Sequence, residues 1–316
     1  MRAALFNRYG SADVLHADEY PKPELGRRDV LIRVHAAGVN PIDWRIRSGS
    51  LRFVLLLKLP MVPGYDVSGV VEAVGSEISS VRVGEEVFTY IDRVSGGGYA
   101  EYAVASEGVV VPKPQGISHV EAAAMPLAAT TALQSLRDWG RLEAGQSVLI
   151  NGASGGVGTY AVQIAKAMGA EVTGVSSTKN LELVQSLGAD HVIDYTREDF
   201  TRQGRLYDVV FDAVAKTSFW AVRNVLKPQG RFVTDMPTPP HFLAHGLTAL
   251  LRGRQARAML ARPRGDDLRV LKRLSEEGKL RSVVDRVFPL ENAAEAHRAS
   301  ESGHVRGKLV LQVVGG

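Results

Sequence analysis

The segment Asn151–Gly158 reads NGASGGVG, follows the apolar run Ser147–Ile150 and opens an apolar-periodic segment from Val157 to Met168. A glycine-rich turn between a strand and a helix suits a phosphate, because free amide N–H groups and the positive end of the helix dipole face the anion. In the G-x-G-x-x-G register Ala153 takes the first place, Gly155 the second and Gly158 the third, with Gly152 and Gly156 as extra glycines. Gly155 lets the backbone approach a pyrophosphate, and Gly158 lets the helix close on the strand. With Ser154 and Val157 between them, these residues form the candidate cradle of a dinucleotide. About 20 residues on, where an acidic side chain selects the unphosphorylated ribose, the chain reads Ser176-Ser177-Thr178-Lys179-Asn180. Ser176, Ser177 and Lys179 offer hydroxyls and a cation to a 2′-phosphate, which points to NADPH. A plainer reading, in which Ser177 or Thr178 caps the next helix and Lys179 is solvated, stays open.

No cysteine occurs in the 316 residues, so disulfides, thiolate metal sites and cysteine nucleophiles are excluded. Apolar residues at 45% and charged residues at 23% are ordinary for a globular chain that buries a core. No run approaches the length of a membrane span and the amino-terminal residues lack an apolar signal core, so a cytoplasmic protein without a membrane partner is expected. The net charge of +4 gathers partly in Arg252, Arg254, Arg257, Arg262 and Arg264. Without interleaved aromatics this cluster reads as a solvated or subunit edge rather than a nucleic-acid site. His241 and His245 stand four apart but lack a third ligand, so no metal site is expected there.

The elements that must carry these residues fall into two patterns. Short strands separated by turns are expected at Arg2–Phe6, Asp29–Val39, Asp66–Val74, Glu86–Tyr90 and Tyr99–Val104, a small barrel-like β domain. From His119 the pattern alternates. A helix over Val120–Asp138 precedes strands at Ser147–Asn151, Glu171–Ser176, His191–Ile193, Tyr207–Ala213 and Arg231–Thr234. Helices at Val157–Met168, Asn180–Leu187 and Ser218–Val225 lie between them, the spacing of a doubly wound parallel sheet, and the fold class is α/β. After a helix near Asp267–Glu277, the segments Val283–Phe288 and Gly307–Val314 resemble the first domain and are expected to return to it.

The motifs GVNPIDWRIRSG, PGYDVSGVVEAVG, AEYAV, EAAAMPLAATTALQSL, NGASGGVG, GADHVIDY and GHVRGKLVLQVV occur in the order found in one family. The chain resembles the zinc-independent quinone oxidoreductase branch of the medium-chain dehydrogenase/reductase superfamily. The resemblance implies a GroES-like β-barrel domain over residues 1–118 and 279–316, with a Rossmann domain over 119–278 inserted between. It aligns Asn40 and Tyr65 with zinc ligands of the metal-dependent relatives, and neither is a credible ligand. It implies that Asn40 donates to a substrate carbonyl and that Tyr65 donates to an oxyanion or relays a proton. The same resemblance sets Thr131 beside the nicotinamide and Tyr195 beside the adenosine phosphate. Asn40 as a turn residue before Pro41, Asp43 as a helix-starting acid, Tyr65 as an apolar wall, Thr131 bonded to its own helix and Tyr195 as a packing residue are the structural alternatives. Trp44, Phe53 and Leu55–Leu57 would form an apolar substrate mouth.

The implied activity is hydride transfer from NADPH to a quinone or an enone. A zinc-free alcohol or aldehyde reductase, or a nucleotide-responsive binding protein without turnover, are the alternatives. The segment Gln255–Ala261 is expected to pair across the edge of a homodimer.

Overall fold

The computed structural model describes residues 1–249 and 253–313 and divides into two compact units, Met1–Ala128 with Pro263–Gly316, and Ala129–Arg262. Arg252 of the arginine cluster and Val314 of the expected last strand lie outside the described residues. In chain order the strands are β1 (Arg2–Leu5), β2 (His16–Glu19), β3 (Asp29–Val39), β4 (Asp66–Val74), β5 (Glu86–Tyr90), β6 (Tyr102–Ser106) and β7 (Val110–Pro112). They continue with β8 (Ser147–Asn151), β9 (Glu171–Ser176), β10 (His191–Asp194), β11 (Tyr207–Asp212), β12 (Leu226–Thr234), β13 (Gln255–Ala258), β14 (Val284–Pro289) and β15 (Lys308–Gln312).

The first unit is built on β3, which pairs antiparallel with β4, β6 and β15 in a sheet of order β14-β15-β3-β4-β5-β7. The carboxyl-terminal return expected from composition is observed, with Leu309 opposite Val39. Burial explains it, since Leu290, Leu309 and Leu311 share a core with Leu5, Phe6 and Ile46. Both expected domain boundaries shift. The helix His119–Ala123 packs on β3 and β4, and the helix Gly265–Glu276 packs on β7 and the turn Glu107–Val109, so each belongs with the barrel. The expected helix Val120–Asp138 is broken at Pro126, which has no N–H to donate and instead starts a second helix, Pro126–Gln134. That helix runs into a π turn at Ser135–Trp139. The expected strand at Tyr99 begins later, at Tyr102, because the backbone of Tyr99 is taken by Pro63 and Ala4.

The second unit is a six-stranded, wholly parallel sheet of order β10-β9-β8-β11-β12-β13. Strand order reverses between β8 and β11, and ligands of such sheets bind at the carboxyl ends of the strands flanking that point. Here those ends are Asn151 and Asp212, joined by an Asn151 Nδ2 to Asp212 Oδ1 bond of 3.0 Å. The basic cluster is partly structural: Arg254 Nε donates to Leu226 O at 2.8 Å, and Arg257 bonds Gln255. His241 and His245 are structural too. The Thr238 N–H donates to His241 Nδ1, so Nε2 carries the proton given to Thr217 O at 2.9 Å. His245 Nδ1 accepts from Ala258 N. No helix among the described residues is long and apolar enough to cross a membrane.

Candidate active site

In the parallel-sheet unit, β8 ends in a turn that Gly152 makes with φ +81°, and Gly155 stands at the start of the helix Gly156–Ala167. A Cβ on Gly158 would lie 2.0 Å from Gly152 O and 2.8 Å from Ala153 Cα. The helix can therefore close on the turn only with glycine there. A Cβ on Gly155 would meet only Gly152 O, at 3.4 Å, so this position faces open space. The turn Gly152–Gly158 thus fits a pyrophosphate: its approach is unobstructed and the first amides of a twelve-residue helix point outward.

Ser154 is tied to its neighbours from two sides. Ser176 Oγ donates to Ser154 Oγ at 2.7 Å, and Asn180 Nδ2 donates to it at 3.1 Å. Ser176 is buried, so its hydroxyl braces the turn against β9 rather than facing a phosphate, which corrects the expectation of a direct ligand. Ser177 is half-buried, while Lys179 and Tyr195 are exposed, and Tyr195 N donates to Ser176 O at 3.1 Å. Lys179 and Tyr195 thus flank the carboxyl ends of β9 and β10. The motif reading missed Asn180 and Asp194. Asp194 accepts from Thr178 Oγ1 and from Thr196, and these bonds hold its carboxyl below the ordinary range. Thr131 is buried on the helix Pro126–Gln134.

In the barrel unit, Asn40 follows β3 and caps the helix Pro41–Arg47. Its backbone N–H donates to Asp43 Oδ2 at 2.7 Å, and the Tyr99 hydroxyl donates to the same oxygen at 2.9 Å. Its side chain is held at both ends: Nδ2 donates to Asp66 Oδ2 at 2.8 Å and Oδ1 accepts from the Lys308 ammonium. Lys308 also donates to Val39 O at 3.2 Å and lies 3.4 Å from Asp66 Oδ2. The other oxygen of Asp66 accepts from Leu127 N at 2.6 Å, in the first turn of the helix Pro126–Gln134. Asn40 is 1% exposed and Lys308 3%. Asn40 is therefore a locked member of a buried network, with Oδ1 and one N–H of its amide engaged.

The electrostatics follow from burial. Asp43 is pushed up to about 7 by its interior position, against the opposing pull of Asn40 and Tyr99. Burial raises Asp66 as well, with the Lys308 charge resisting. His297 is pushed down to about 3 by burial and then by the Arg47 charge; its ring meets Tyr99 edge-on at 5.7 Å and both ring nitrogens lack a partner among the described residues. Tyr65 gives its proton to Val94 O at 2.6 Å and stands edge-on to Tyr90. Burial raises its pKa, so the phenol stays neutral. Its one proton is spent on a backbone carbonyl, and the expectation of a free donor at Tyr65 is not met.

Asn40 and Tyr65 also do not fit zinc. One presents its oxygen to an ammonium that repels a dication, and the other is a neutral phenol bonded to the backbone. Lys308 and Asp66 were legible only as charged residues inside otherwise apolar runs, KLVLQ and DVSGVV. The apolar mouth is not assembled as expected: Phe53 and Leu56 project to solvent, while Leu55 and Leu57 pack on the core.

Two family patterns match the chain: one described as alcohol dehydrogenase GroES-like domain over residues 26–115, and one described as zinc-binding dehydrogenase over 187–311. The chloroplast envelope quinone oxidoreductase homolog of Arabidopsis thaliana is 34% identical, covering 99% of this chain and 98% of that protein. The NADPH-dependent alkenal/one oxidoreductase of the same plant is 37% identical over 98% of this chain and 79% of its own length. Among solved structures, the quinone oxidoreductase from Coxiella burnetii superposes with a TM-score of 0.92 at 36% identity, covering 99% of both chains.

Proposed function

Because the chain belongs to the quinone oxidoreductase branch of the medium-chain dehydrogenase/reductase superfamily, we propose that it transfers hydride from NADPH to a quinone or an α,β-unsaturated carbonyl, without zinc. The observation that carries the zinc-free reading is the Lys308 ammonium on Asn40 Oδ1, because the amide is held where relatives that use the metal place a ligand. NADPH supplies the hydride from C4 of its nicotinamide. The chain would hold its pyrophosphate on the amides of Gly156–Gly158, since Gly155 N donates to Gly152 O, and its 2′-phosphate beside Ser177, Lys179 and Tyr195, with Thr131 near the carboxamide.

Asn40 is assigned to the acceptor oxygen. Lys308 draws electron density toward the amide oxygen and Asp66 takes one N–H, so the remaining N–H is a strengthened, oriented donor. That bond stabilises the enolate or hydroquinone oxyanion formed as hydride reaches the β-carbon or the quinone ring. Water then supplies the proton, since Tyr65 holds its own on Val94. Reduction needs only this modest stabilisation, whereas alcohol oxidation needs a Lewis acid for its alkoxide.

The homodimer is likewise our assignment. β13 ends the parallel sheet, and its outer edge has no strand partner among the described residues. An unpaired edge invites a second copy. Sedimentation at micromolar concentration giving only the 34.1 kDa monomer would contradict it. For the activity, purified protein with NADPH is offered 1,4-naphthoquinone, 1,2-naphthoquinone, enones and simple aldehydes. Oxidation with quinones or enones is expected, and oxidation with aldehydes alone defeats the proposal.

A further inference from the structure

The barrel unit turns a strip of apolar side chains outward: Phe53, Val54 and Leu56 are 82, 78 and 90% exposed. The turn that presents them is fixed by its own bonds. Arg52 N donates to Gly49 O at 3.1 Å, Val54 N and Leu55 N both donate to Leu51 O, and Leu51, Leu55, Leu57 and Leu59 pack inward on the core. Anchors inside and tips outside make the exposure a built feature, and three large apolar tips so close together mark a contact surface.

Charge decides the partner. From Trp44 to Tyr65 there is no acidic residue, while Arg45, Arg47, Arg52 and Lys58 are cationic. Arg47 is spent inside on Glu301. Arg52 and Lys58 are exposed beside the apolar tips, and the Arg52 guanidinium lies 4.7 Å from the centre of the Phe53 ring. The strip borders a cleft of about 540 Å³ whose walls include Leu56, Lys58, Tyr20, Tyr102 and Arg93, with Glu24 its one acid. A nucleic acid would meet the cations but leave Val54 and Leu56 unburied. A second copy laid face to face would oppose like charges. An anionic lipid leaflet offers phosphate and hydrocarbon within one thin layer.

We propose that the segment from Gly49 to Lys58 is a peripheral membrane contact. Phe53, Val54 and Leu56 enter the boundary between headgroups and acyl chains, and Arg52 and Lys58 pair with lipid phosphates. This departs from the sequence expectation of no membrane partner, and it crosses no bilayer. It does not depend on the proposed reaction, although it would bring the protein to apolar acceptors dissolved in lipid.

The test is co-sedimentation of the full chain with vesicles of phosphatidylcholine alone and of phosphatidylcholine with phosphatidylglycerol. Binding is expected only to the anionic vesicles and is expected to weaken as salt rises. Two variants, Phe53→Ser/Val54→Ser/Leu56→Ser and Arg52→Glu/Lys58→Glu, should each lower the partition coefficient about tenfold or more. Absence of wild-type binding at low salt, or an unchanged partition in the apolar variant, overturns the proposal. So does a fall in sedimentation mass of the apolar variant, which assigns the strip to self-association. Lost turnover on a water-soluble quinone with unchanged vesicle binding assigns it to the substrate mouth and overturns the proposal equally.

Discussion

Lys308 and Asn40 stand 268 residues apart in sequence, yet the ammonium of one donates to the amide oxygen of the other in the interior of the barrel unit. Register brings them together, since β15 runs antiparallel to β3 with Leu309 opposite Val39, and Lys308 and Asn40 each lie one residue beyond that last pair.

Removing the cation isolates Asp66. Lys308→Met is expected to cost about 3–5 kcal/mol of stability, the usual penalty for leaving one buried ion unpaired. The double variant Asp66→Asn/Lys308→Met should recover most of that loss in thermal melts. If Lys308 orients Asn40, the double variant still loses kcat about tenfold or more with KM for NADPH little changed. Full activity in the stable double variant would confine Lys308 to folding.

The two glycines of the cofactor turn should separate cleanly. Gly158→Ala forces a Cβ against Gly152 O and is expected to lower the melting temperature by several degrees. Gly155→Ala meets no such obstacle, so it should melt as the wild type does but bind NADPH about tenfold or more weakly, as followed by nicotinamide fluorescence.

Lys179 sits where the 2′-phosphate is assigned, exposed and beyond the end of β9. Lys179→Glu replaces attraction by repulsion and should reduce the preference for NADPH over NADH, read as a ratio of kcat/KM values, on the order of 100-fold. An unchanged ratio assigns Lys179 to solvent.

Stability should vary with pH through two opposed buried groups. His297 is neutral in the fold down to about 3, whereas the unfolded chain takes up its proton near 6.5. The stability it permits is complete above about 6.5 and is lost as pH falls toward 3. Asp43 runs the other way: the fold keeps its proton up to about 7, the unfolded chain only to 3.8, so its contribution is full below 3.8 and is lost as pH rises through 7. Burial lowers His35 and His119 as well, which adds to the acid loss. In melts across this range, His297→Leu should flatten the acid limb, and Asp43→Asn should remove the decline toward neutrality.

The cofactor turn was legible in sequence because everything that makes it is local: an apolar strand, NGASGGVG and an amphipathic helix lie in one run of residues. The return of the carboxyl-terminal strands was legible from composition. The states of Asn40 and Tyr65 were not, since they depend on Lys308, Asp66 and Val94, brought together only by sheet register and by a loop. Ser176 was misjudged for a related reason, as a hydroxyl at a strand end can brace a turn or face a ligand, and only packing decides. The helix break at Pro126 was visible in the sequence, but the apolar run EAAAMPLAATTAL masked it.

Hydride delivery to carbon without a metal is followed with NADPH deuterated at C4 and an enone acceptor, using chelator-treated protein. Turnover is expected to survive chelation, with mass spectrometry finding the deuterium on the β-carbon of the saturated ketone. Deuterium on the carbinol carbon of an alcohol product, or activity that disappears with the chelator and returns with zinc, would contradict it.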